Sequence, residues 1–224
     1  MSLPAALLAV TDRHGRAAGL ADTVRAILDG GGRWIWLRDP DLDPAARRGL
    51  AESLLALARA AGASLTIGRD AALAAAIGAD GVHLPGGTRP RAIAAARRIL
   101  APASLIGVSA HGPSELAEIA AAGADYVTLS PIFETASKPG YGPALGLAGL
   151  RAAAAAHGLP VLALGGVGAG NASACRAAGA AGIAVMGGLM RARDPAAATR
   201  AFLGAWERGD PTGAENPPRL PPAA

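Results

Sequence analysis

Short apolar runs alternate with longer, Ala-rich stretches along the chain. The runs are Leu7–Asp12, Trp34–Arg38, Ser64–Gly68, Gly81–Leu84, Leu105–Ser109, Tyr126–Ser130, Val161–Gly165 and Ile183–Gly187. Most are apolar at nearly every position, as parallel strands buried on both faces require. All but Gly81–Leu84, which runs into Pro85-Gly86-Gly87, end in polar residues or glycine, and each is followed by a segment of helical character. Asp43-Pro44 and Asp194-Pro195 mark helix starts, and Ser114 followed by Glu118 marks another. Eight strand–helix alternations predict an α/β fold, a (β/α)8 TIM barrel forming a single domain over residues 1–206. A doubly wound open sheet competes with it. That fold asks for a GxGxxG turn after the first strand, where this chain reads Thr11-Asp12-Arg13-His14.

An internal echo favours the barrel. AAIGADGVHL at Ala75–Leu84 resembles AAAGADYVTL at Ala120–Leu129, and RAAGAAGIAV at Arg176–Val185 repeats the pattern. In each, a helix is expected to end on glycine, with a two-residue loop before a buried strand. From residue 207 the chain becomes ERGDPTGAENPPRLPPAA. Its Pro, Gly and charge give it no core, so residues 207–224 are expected to be a disordered tail.

Composition narrows the picture further. Hydrophobic residues make up 51% of the chain but aromatics only 3%, which predicts a core of Ala, Leu, Val and Ile. The single cysteine, Cys175, rules out an internal disulfide framework, agrees with a reducing compartment, and is read as structural. The N-terminal run has no basic region and is too short to span a bilayer, so the expectation is a cytoplasmic protein with no membrane partner. A net charge of +4 raises the question of nucleic acid. The paired arginines Arg47/Arg48, Arg97/Arg98 and Arg191/Arg193 fall in separate helical segments with little aromatic interleaving. They read as solvated faces, and no nucleic-acid partner is expected.

Barrel chemistry belongs at the C-terminal ends of the strands. Those ends carry Asp12, Arg38, Gly68, Pro85-Gly86-Gly87, Ser109 and His111, then the loop 130–142, Gly165-Gly166 and Gly187-Gly188. The loop holds three Ser/Thr hydroxyls and Lys138, the one lysine in a chain with twenty arginines. An ammonium is a compact point charge, so this position is a candidate anion ligand. The two glycine pairs end the last two runs, each ahead of a helix, where backbone N–H groups can approach a phosphate. Buried in its run, His83 reads as a core histidine; His111, at a run's end, is open to either role.

These residues carry a resemblance to the thiamine phosphate synthase and thiazole tautomerase family along nearly all of residues 5–205. The matching pieces are WLRDPDL around Arg38, GADGVHL at Gly78–Leu84, IGVSAH at Ile106–His111, GADYVTLSPIFET with Lys138, PVLALGGV at Pro160–Val167 and AGIAVMGGL at Ala181–Leu189. The resemblance implies a transferase of thiamine biosynthesis. It would join a pyrimidine methyl diphosphate to a thiazole phosphate and release pyrophosphate. It further implies that Arg38 and Lys138 bind pyrophosphate and that Ser109 hydrogen-bonds near the reacting pyrimidine. Thr135, Ser137, Gly165, Gly166, Gly187 and Gly188 would line the thiazole phosphate site. Partners are then the small phosphorylated thiazole and pyrimidine substrates, and assembly into a homo-oligomer stays open.

The chain also departs from the family pattern. The pyrophosphate grip Gln-x-Arg-x-Lys is here Trp36, Arg38 and Pro40. The resemblance implies magnesium, yet the positions of its two Asp ligands are Arg69 and Thr88. Magnesium wants hard oxygen ligands, so no metal ligand is assigned and the ion stays an open question; Asp70, one residue away, would serve only after a backbone shift. No organic cofactor is implied. Two alternatives remain: a thiazole tautomerase-like isomerase with His111 as acid/base, whose usual loop histidine is here Pro131, and a non-catalytic thiazole or thiamine phosphate-binding barrel.

Overall fold

The computed structural model describes residues 2–15, 19–135, 143–156 and 158–208. Eight parallel strands close into a barrel in sequence order. They are β1 (Leu7–Val10), β2 (Trp34–Leu37), β3 (Ser64–Gly68), β4 (Gly81–Leu84), β5 (Leu105–Ala110), β6 (Tyr126–Leu129), β7 (Val161–Leu164) and β8 (Gly182–Val185). Each lies within or one residue beyond a run read from the sequence. Pairing of Leu8 with Ala184 and of Ala9 with Ile35 joins β1 to β8 and to β2, which closes the sheet and excludes the open alternative.

Around it stand α1 (Leu20–Asp29), α2 (Pro44–Ala60), α3 (Ala71–Ile77), α4 (Pro90–Ile99), α5 (Leu116–Ala121), α6 (Gly146–Ala155), α7 (Ala172–Ala177), α8 (Gly187–Met190) and α9 (Pro195–Arg208). Asp43 caps α2 as the sequence predicts, accepting from the N–H groups of Ala45 and Ala46 with Pro44 in the first turn. Ser114 does not act as a cap. The chain makes a 3₁₀ turn over Pro113–Glu115 first, and the Glu115 carboxylate instead accepts the His111 N–H at 2.7 Å. Helix α9 carries Glu207 and Arg208, two residues assigned above to the tail. Residues 209–224 lie outside the described residues. No described helix is long and apolar enough to cross a membrane.

The three echoed segments behave alike. Gly78, Gly123 and Gly179 have φ of 67°, 90° and 92°, the left-handed region that lets a helix end and the chain turn into a strand. In the first two, the loop acid ties down the neighbouring strand: Asp80 accepts from Leu65 N–H and Asp125 from Ile106 N–H.

Alternation along the strands makes two cores. Outward residues such as Ile35, Leu37, Ile67, Val82, Val127 and Ile183 pack under the helices. The inward set is different: Leu8, Val10, Trp34, Trp36, Tyr126 and Leu162 fill the barrel. The aliphatic core expected from composition therefore holds outside the sheet and in part inside it, where Leu8, Val10, Leu105 and Leu162 share the space with aromatics. Inside, three of the chain's few aromatics provide the bulk. Gly107 gives them room, because a Cβ there would collide with the Tyr126 ring.

Candidate active site

The C-terminal rim of the barrel opens into a cleft of about 660 Å³, a volume suited to small-molecule ligands. It gathers Arg38, Ser109, His111 and Thr135 together with Gly165, Gly166, Gly187 and Gly188. Lys138 and Ser137 lie outside the described residues.

On the β6–β8 side, packing fixes the backbone. Gly165 and Gly166 have φ of 90° and 65°. The loop after β6 presses against them: Ile132 N–H donates to Leu164 O and Phe133 N–H to Gly165 O. A Cβ on Gly166 would sit 2.5 Å from Glu134 O and 2.6 Å from Phe133 Cβ. These glycines therefore serve a close approach between two loops as well as a turn. Asn171 ties off the segment, accepting from Gly168 N–H and donating to Gly166 O. At the next strand end, Arg191 folds back over Gly187, where a Cβ would collide with its guanidinium. Sequence reading put Arg191 on a solvated face; its i,i+4 spacing from Gly187 on α8 was the available signal. Its guanidinium lies 3.7 Å from Asp12 at the end of β1.

At the β1–β2 end, a buried acid organises the rim. Asp39, only 4% exposed, accepts from Thr11 Oγ1 at 2.5 Å and from Arg13 N–H at 2.8 Å. Thr11 Oγ1 in turn accepts the Arg38 N–H at 2.9 Å. The link stitches β1 to β2 and fixes where the Arg38 side chain departs. Arg38 then reaches across the barrel mouth, with a guanidinium nitrogen 3.8 Å from the Met186 sulfur. Asp39 went unrecognised in the sequence, because its partners come from a strand almost thirty residues away.

Beneath the cleft floor, His83 joins a buried polar chain. Its Nδ1 is 3.0 Å from Tyr126 Oη, and its Nε2 is 3.1 Å from Ser109 Oγ and 3.2 Å from Thr128 Oγ1. Burial lowers its pKa to about 3, so the ring is neutral near pH 7. Burial likewise raises the Tyr126 phenol and pushes the Cys175 thiol up to about 12. Trp36 stacks on the imidazole at 3.9 Å between ring centres. His83 is thus the satisfied core histidine that the sequence favoured, and it also holds Ser109 from below. His111 stands higher. Its Nδ1 lies 3.0 Å from the Ser130 carbonyl and must be the donor, which sets the tautomer of the neutral ring.

The β3 and β4 ends decide how the cleft meets a metal. Arg69 lines the cleft. Asp70 points elsewhere: its carboxylate accepts from Leu73 N–H at 2.8 Å, capping α3, and lies 3.6 Å from Arg47. Thr88 donates its hydroxyl to Pro85 O. Among the described residues no group of three or more His, Cys, Asp or Glu is arranged to hold a metal ion. A guanidinium, a hydroxyl already donated and a carboxylate turned away do not fit magnesium.

Comparison with known proteins agrees with this architecture. The sequence profile of a family described as thiamine monophosphate synthase matches residues 7–189. A thiamine-phosphate synthase of Roseiflexus castenholzii is 44% identical over 196 residues, 86% of this chain and 84% of that protein. One of Chromobacterium violaceum is 45% identical over 199 residues, 88% and 94% of the two chains. Among solved structures, a thiamine phosphate pyrophosphorylase from Pyrococcus furiosus superposes with a TM-score of 0.80 at 31% identity, covering 90% of this chain and 95% of that one. A 3-hexulose-6-phosphate synthase at 23% identity and TM-score 0.70 shares the fold alone. With the family profile covering residues 7–189 and relatives of 44–45% identity matched over most of their length, the chain belongs to the thiamine monophosphate synthase family.

Proposed function

We propose that the chain is a thiamine phosphate synthase-type transferase, joining a pyrimidine methyl diphosphate to a thiazole phosphate with release of pyrophosphate. The carbon–oxygen bond to the diphosphate breaks and its electron pair leaves with pyrophosphate. The lone pair of the thiazole nitrogen then forms the new carbon–nitrogen bond. Such a step needs the leaving charge neutralised and the transient cation left unopposed by other positive charge. Arg38, with Lys138, takes the pyrophosphate. Ser109, held by neutral His83, hydrogen-bonds the pyrimidine from the cleft floor. That neutrality matters, since an imidazolium there would repel the cation. The glycine pairs, Thr135 and Ser137 take the thiazole phosphate.

The observation that carries this reading is that one cleft holds both halves: glycine-rich loop ends on the β7–β8 side, and guanidinium groups on the β2–β3 side with Ser109 between them. The test incubates purified protein with both substrates and follows pyrophosphate release alongside thiamine phosphate. Formation of both in equal amounts is expected. If neither forms, and the protein instead isomerises the thiazole carboxylate phosphate in a manner lost in His111→Ala, the tautomerase reading replaces this one.

A further inference from the structure

Arg69 is the sole described residue other than glycine with a positive φ, at 67°. An arginine gains nothing intrinsically from the left-handed region, where its Cβ crowds the following carbonyl, so something must hold it there. Two hydrogen bonds do: Arg69 N–H donates to His83 O, and Asp70 N–H to Gly68 O, both at 2.8 Å. The resulting turn sorts two adjacent side chains. Asp70 goes outward to cap α3, and Arg69 goes to the cleft.

Arg38 is its neighbour. Pairing of Leu37 with Ile67 puts Arg38 beside Gly68 across the two strands, and a Cβ on Gly68 would lie 3.4 Å from Arg38 Cα. Neither guanidinium has a carboxylate within ion-pair distance among the described residues. Two acids line the cleft: Asp12 faces Arg191 on the far side of β1, and Glu134 stands in the segment after β6, in ion-pair contact with neither Arg38 nor Arg69. Two uncompensated guanidinium groups on adjacent strand ends thus share one mouth.

We infer that Arg69, together with Arg38, binds the diphosphate of the substrate directly, in place of a carboxylate-held divalent cation. The identity of that ligand rests on the synthase reading above. The chemistry is that of two planar forks, each able to donate two parallel N–H bonds to a pair of non-bridging phosphate oxygens. Carboxylates at these positions would repel a diphosphate unless a cation bridged them. Guanidinium groups remove both the repulsion and the need for the bridge, and the left-handed turn is the device that presents the second of them.

Titration calorimetry with inorganic pyrophosphate in excess EDTA tests this. The wild-type protein is expected to bind, with a Kd within about threefold of that measured with magnesium. Arg69→Gln and Arg69→Gly are expected to weaken binding roughly ten- to a hundredfold, the loss of a charge-assisted hydrogen-bond pair. Arg69→Gly also controls for folding: glycine accepts a positive φ, so its melting temperature should equal or exceed that of the wild type. Loss of wild-type binding in EDTA, or wild-type affinity in Arg69→Gly, would overturn the inference. Pyrophosphate binding that depends on Arg69, in a protein releasing no pyrophosphate from the two substrates, would uphold it while sinking the synthase reading.

Discussion

The two sides of the cleft are built on different principles. On the β7–β8 side the cleft is lined by glycine backbone, and its shape is dictated by packing. Gly165 and Gly166 sit in the left-handed region with the loop after β6 pressed against them, and Gly187 is covered by Arg191. On the β2–β4 side the cleft is lined by side chains at strand ends, among them Trp36, Arg38 and Arg69, while Thr88 stands outside its lining. There, at Trp36, Pro40, Arg69 and Thr88, the chain departs from the pattern its resemblance implies. Backbone held by packing is bound to the fold, whereas side chains at strand ends are free to change in kind, which is where the proposed diphosphate site departs from the pattern of the resemblance.

The largest expected effect is therefore structural and lies on the β7 side. Gly166→Ala adds left-handed strain and a clash with the Glu134 carbonyl, and should cost about 3 kcal/mol in urea unfolding. A loss below about 1 kcal/mol would mean that the two loops are not tightly coupled. Next comes Lys138, which lies outside the described residues. Lys138→Met should weaken binding of a phosphorylated thiazole or pyrophosphate by about 1.5–3 kcal/mol by calorimetry, the worth of a charged hydrogen bond. Equal affinity in the variant would leave recognition to the glycine loops and the arginines.

Acid should expose the buried network between the two sides. His83 has a folded pKa of about 3, against an ordinary value of 6.5 when unfolded. Between those values the unfolded chain binds the extra proton, so stability from this group is complete above 6.5 and falls as pH falls. From pH 7 to pH 5 the loss should be about 2 kcal/mol more in the wild type than in His83→Gln. Identical pH profiles would show that the imidazole is reached by water. The smallest effect belongs to the β4 rim. Thr88→Ala removes one exposed hydrogen bond to Pro85 O and should shift stability by no more than about 0.5 kcal/mol, as judged by thermal melts. A larger change would erase the contrast drawn between the sides.

Much of this was legible in the chain itself. Continuous apolar runs located all eight strands, because strands buried on both faces leave little room for polar alternation. The Gly-x-x segments announced their turns, because only a residue without Cβ enters the left-handed region cheaply. Strand ends located Arg38, Ser109, His111 and the glycine pairs, because strand direction fixes which rim a terminal residue joins. Less visible were groups whose role comes from distant partners. Asp39 acts through Thr11, Arg191 through Gly187 and Asp12, and Asp70 was spent on capping α3.

The aromatic barrel interior was likewise hidden, since composition counts residues and cannot say that Trp34, Trp36 and Tyr126 converge on one axis. What the sequence by itself determined is the order of elements, their closure into a barrel and the rim on which chemistry sits. These follow from local periodicity, chain direction and backbone stereochemistry. What only the tertiary structure decided is which side chains face one another across that rim. A turn at Arg69 of a single positive φ sets Arg69 along the cleft and leaves the Asp70 carboxylate capping α3, and no spacing along the chain encodes that choice.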